Sequence, residues 1–96
     1  MILRKPTVGQ RFGSWDELTA HEPELIELEK LARGNRRRYG SHAFWLGWSE
    51  LKARTARLVG WHAAKPELAN SHAYDIAYRH LLDAYELAAL GRRWRR

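Results

Sequence analysis

At 96 residues the chain has the length of one domain and room for one modest core, without the volume a deep catalytic cavity demands. It contains no cysteine, which excludes disulfides, zinc–thiolate sites and thiol nucleophiles, and so small a domain without disulfide staples points to a cytoplasmic setting. Lys and Arg number 17 against 11 Asp and Glu, a net charge of +6, which favours an anionic partner. Five Trp, four Tyr and two Phe supply bulky core material and argue against a disordered chain. Met1–Pro6 carries no apolar run after its charges, unlike a signal peptide, and no segment approaches the ~20 apolar residues of a membrane span.

Residues 1–13 read as an extended N-terminal arm, broken by Pro6, Gly9 and Gly13. Ser14-Trp15-Asp16-Glu17 has capping-box spacing, in which the Ser hydroxyl and the Glu carboxylate satisfy opposite orphan N–H groups, so a helix is expected over 15–21. Pro23 forbids its continuation and opens a second helix over 23–33, with Leu25, Leu28, Leu31 and Ala32 on one apolar face and Gly34 as its stop. After a basic loop, Ser41-His42-Ala43-Phe44 starts a helix that recurs thirty residues later as Ser71-His72-Ala73-Tyr74. Sliding the two segments together aligns Trp48 with Tyr78, Leu51 with Leu81, Thr55 with Tyr85 and Leu58 with Ala88. The steps of four and three describe the seam of two helices packed at a shallow angle, reached either by duplication or by convergence on one cap and one seam. Each helix starts at its Ser and ends at a glycine, Gly60 and Gly91, and the short connection makes the two antiparallel neighbours.

The fold expected is therefore all-α: a small helical bundle built on an antiparallel helical hairpin (42–59 and 72–90), with N-terminal helices and a basic C-terminal tail over 91–96. The second hairpin helix also carries Ile76, Leu87 and Leu90 away from its seam, so a further partner is expected on that flank. That partner is residues 23–33 or, as the alternative, a second subunit in a homodimer.

No constellation for catalysis or metal binding is present. The histidines lack the His-x₃-His and Glu-x-x-His spacings; His72 with Asp75 and His80 with Asp83 offer only isolated two-ligand pairs. The serines Ser14, Ser41 and Ser71 are taken as caps, and no Gly-x-Ser-x-Gly elbow or Gly-rich phosphate cradle occurs. No enzyme activity, metal or cofactor is expected.

Charge segregation carries the functional expectation. Residues 14–29 hold six acids and no Lys or Arg, whereas all 17 basic residues lie outside that block. Arg36, Arg37 and Arg38 stand consecutively beside Tyr39, and Arg92, Arg93, Arg95 and Arg96 surround Trp94. Arg54 and Arg57 add charge to the polar side of the third helix. Guanidinium forks suit phosphates, and neighbouring aromatics suit unstacked bases, so these residues predict binding of DNA or RNA mainly through backbone phosphates. The competing reading is a non-enzymatic protein-interaction module, an adaptor or inhibitor, using Trp45, Trp61 or the acidic block. A plainer account has Arg36–Arg38 pairing with that acidic block.

Overall fold

The computed structural model describes residues 11–60 and 71–94, with the backbone alone at Ser71 and at 92–94. Most of the expected arm, Trp61, His62, the turn at Pro66 and the tail residues Arg95 and Arg96 lie outside the described residues. The described residues form four helices and no strand, α1 (Trp15–His21), α2 (Leu25–Arg33), α3 (His42–Val59) and α4 (Ser71–Trp94), a small all-α bundle.

Local chemistry explains the helix boundaries. Ser14 is extended and its hydroxyl accepts the Glu17 N–H, while the Glu17 carboxylate reaches back to the N–H of Gly13 at 2.7 Å, one residue before the cap. The capping box thus closes in a variant form. The second helix starts at Leu25 and not at Pro23 as expected. Leu25 and Ile26 donate three residues back, to the Glu22 and Pro23 carbonyls, so a tight turn precedes the α-helical ladder. Ser41 caps α3 by accepting the Phe44 N–H at 3.1 Å, and Gly60 ends it in the left-handed region at φ 75°, both as expected.

Two expectations are corrected. Gly91 does not end the last helix, whose backbone continues to Trp94; among the described glycines only Gly40 and Gly60 turn left-handed. A glycine within a helix costs only about 1 kcal/mol relative to alanine, and Arg92 and Arg93 are good helix formers. Leu31 is 51% exposed instead of joining the face of α2. At roughly 100° per residue it falls to one side of Leu28, while the buried Leu25 and Ala32 fall to the other.

Core packing centres on α4, which lies against α1, α2 and α3 and packs on α2 most extensively. Its buried Ala73, Ala77, Ala84 and Ala89 allow close helix approach, with Leu81 and Tyr85 filling the spaces between. The seam residues Trp48, Leu51 and Thr55 of α3 are buried as expected. Phe44 meets Tyr85, and Trp48 meets both Tyr85 and Tyr78, so contacts retreat along α4 as α3 advances. α2 of the same chain packs on α4, but the expected further flank is only partly covered: Ile76 and Leu90 are half-buried and Leu87 is 57% exposed.

Candidate functional site

The segment joining α2 to α3 is fixed at its root. Asn35, 2% exposed, donates from Nδ2 to the Tyr85 carbonyl at 3.0 Å and accepts the Arg37 N–H on Oδ1 at 3.0 Å. One short polar side chain thereby ties the loop to α4 and sets its first bend. The loop closes where Ser41 donates its N–H to the Arg38 carbonyl and Gly40, at φ 81°, turns the chain into the α3 cap. Between these anchors Arg36, Arg37, Arg38 and Tyr39 are exposed.

The three arginines differ in their surroundings. Arg37 folds over α3 at Gly47: a Cβ on that glycine would sit 3.0 Å from both Arg37 Cζ and Nε, and 2.5 Å from Tyr85 Oη. The Tyr85 hydroxyl donates to the Phe44 carbonyl. Burial pushes the phenol pKa up, and the nearby Arg37 charge opposes that shift. Arg37 is therefore engaged in holding the loop on the α3–α4 core. Arg36 and Arg38 make no ion pair among the described residues, whereas the helical cations Lys30, Arg33 and Arg79 pair with Glu27, Glu29 and Asp75 respectively.

Aromatic side chains adjoin the loop. Tyr39 is 40% exposed and Trp45 45% exposed, and both rest on buried Phe44, with ring centroids 4.9 Å and 4.8 Å from it. The Tyr39 hydroxyl lies 3.5 Å from a Glu86 carboxylate oxygen. Leu46, 57% exposed, lines a separate cleft of α3 with Arg37, Ala43, Gly47, Ser49 and Glu50.

The other expected basic residues are distributed unevenly. Arg54 and Arg57 line a separate cleft of about 360 Å³ between α2 and α3, with Glu24, Glu27, Leu28 and Leu58. They lie roughly 14–18 Å further along α3 than Trp45. Glu24 and Glu27 of the acidic block thus adjoin these two arginines, and among the described residues no ion pair joins the block to Arg36–Arg38. Arg92, Arg93 and Trp94 stand on the last turn of α4, about 9–12 Å beyond Glu86 and so toward the same end of the bundle as the loop. Arg95 and Arg96 lie outside the described residues.

Neither two-ligand pair suggested by the sequence is used as such. His72 Nε2 lies 2.8 Å from the Phe12 carbonyl, and Asp75 pairs with Arg79. His80 turns to Glu29 of α2, Nε2 to Oε2 2.7 Å, with its ring stacked on Trp15 of α1 at 4.0 Å and 9°. The His80 hydrogen bond holds the Glu29 carboxyl below its usual range against the opposing effect of burial, and Arg33 adds to the lowering. This cluster borders a cleft of about 250 Å³ lined by Arg33, His80, Asp83, Ala84, Leu87 and Ala88. It ties three helices together, and no group of three metal-ligating side chains occurs among the described residues. Sequence spacing paired His80 with Asp83 because Glu29 lies 51 residues away, beyond any local pattern.

Comparison of the chain with protein-family models, with curated proteins and with solved structures finds no match.

Proposed function

We propose that this protein binds nucleic acid mainly through backbone phosphates. Arg36 and Arg38 of the α2–α3 loop are the principal contacts, and the arginines of residues 92–96 form a second group. The observation that carries this reading is the contrast in charge pairing. Lys30, Arg33 and Arg79 have carboxylate partners, whereas Arg36 and Arg38 stand exposed on an anchored loop without one among the described residues. An anchored loop loses little conformational freedom on binding, and a guanidinium offers a phosphate two parallel hydrogen bonds. The helical extension through Gly91 supports the same reading, because it carries Arg92 and Arg93 outward from the end of the bundle that bears the loop.

The test is fluorescence anisotropy with labelled duplex DNA, single-stranded DNA and RNA, titrated between roughly 50 and 200 mM salt. Replacing Arg36 and Arg38 together by Gln removes two phosphate contacts. The slope of log affinity against log salt should therefore fall by about 1.8 on duplex and about 1.4 on a single strand. Thermal unfolding should stay unchanged, since neither side chain holds a described carboxylate. Equal slopes for wild type and variant would remove the loop from the interface. Failure of the wild type to bind any of the three probes would reject the function.

A further inference from the structure

Two exposed aromatic rings, Tyr39 and Trp45, adjoin a loop whose Arg36 and Arg38 make no ion pair among the described residues. We infer that the loop surface takes single-stranded nucleic acid, with Trp45 and Tyr39 as stacking faces for separate bases. This rests on the nucleic-acid reading above and names its substrate class.

The geometry of the rings carries the inference. Trp45 and buried Phe44 meet in a T-shaped contact at 89°, and Tyr39 leans on the same Phe44 ring at 59°, so Phe44 supports both. Nearly half of each side chain nonetheless remains open to solvent. Their centroids are 6.4 Å apart and their planes meet at 61°. Bases within a duplex are parallel, and their faces are covered by their neighbours, so they cannot serve two surfaces inclined in this way. Bases of a single strand can be splayed and stacked one by one. Arg38, adjacent in sequence to Tyr39, and Arg36, three residues before it, supply charge for the phosphates between such bases. The charge complement favours a polyanion as occupant over an apolar segment of another protein.

The experiment compares single-stranded DNA, the matching duplex, and a single strand of abasic sites that keeps the phosphates and lacks the bases. Stacking on one base is worth roughly five- to 150-fold in affinity. Wild type should prefer the intact single strand to the abasic one by at least that factor, which needs no variant protein. Trp45→Ala should lose a similar factor on the intact strand and little on the duplex, with its salt slope unchanged. Trp45→Phe should retain most of the affinity. Equal binding of intact and abasic strands, or equal losses by Trp45→Ala on single strand and duplex, would overturn the inference. If the Arg36/Arg38 variant still lowered the salt slope in that case, phosphate binding would stand and only the stacking assignment would fall. An apolar protein occupant would leave nucleic-acid affinity indifferent to Trp45, which also overturns it.

Discussion

Gly47 sits in the interior of α3, where alanine is ordinarily preferred by about 0.8–1 kcal/mol. Here the substitution Gly47→Ala should destabilise the protein. Its Cβ would lie 2.5 Å from Tyr85 Oη, against the 3.4 Å at which ordinary van der Waals contact begins, so something must move by about 0.9 Å. The exposed Arg37 side chain can shift by the few tenths of an ångström that its 3.0 Å distance requires. Tyr85 cannot, because its ring is buried against Phe44 and Trp48 and its hydroxyl is bonded to the Phe44 carbonyl. Overpacking costs about 1–3 kcal/mol and weakening the hydroxyl bond adds about 0.5–1.5 kcal/mol, so after the propensity gain the net loss is about 0.5–3.5 kcal/mol. Urea denaturation followed by circular dichroism measures this, with Gly91→Ala as the control. Gly91 is also helical but has no atom within 4 Å of a Cβ, so alanine there should stabilise by up to about 1 kcal/mol. In thermal melts each kcal/mol corresponds to roughly 4–8 °C for a domain of this size. Equal stabilisation by the two alanines would refute the close approach of Tyr85 to the α3 backbone. Adding Tyr85→Phe to Gly47→Ala should recover part of the loss, because it removes the atom that clashes.

Further outcomes follow from the anchors of the bundle. Asn35→Ala deletes two hydrogen bonds that hold the loop, the one to Tyr85 buried, and should cost about 1–3 kcal/mol in urea denaturation; an unchanged midpoint would mean that the loop is held by other contacts. Glu29, held below its usual carboxyl pKa of 4.5 chiefly by His80, contributes stability that is present above that value and lost as pH falls through the lower folded-state value. The stability difference between wild type and Glu29→Gln should accordingly shrink in acid, and a difference that persists undiminished well below 4.5 would contradict the linkage.

What the sequence made legible is what neighbours along the chain determine. Ser14 with Glu17, Ser41, and Gly60 act within one turn of their own helix, and each does so in the structure. The seam positions of α3 were readable because burial at steps of three and four repeats along one helix face. Gly91 shows where such signals end. It resembles Gly60 in following an apolar helical run, yet whether a glycine turns left-handed is decided by where the chain beyond it goes. His80 chose a carboxylate 51 residues away over one three residues away, because packing of α4 on α2 brings Glu29 to the ring.

The arginine run makes the same point for function. By type and position Arg36, Arg37 and Arg38 are indistinguishable in the sequence. In the fold, Asn35 fixes the Arg37 N–H, and the missing side chain at Gly47 opens a path by which its guanidinium reaches Tyr85. The residues on either side are left without that path. Three consecutive charges thus separate into one that fastens the loop to the core and two that face solvent, and the fastening gives the outer two a fixed base. A cluster of like charge counted from sequence therefore overstates the charges left free to meet a partner, and the discrepancy is set by a glycine ten residues away on the next helix.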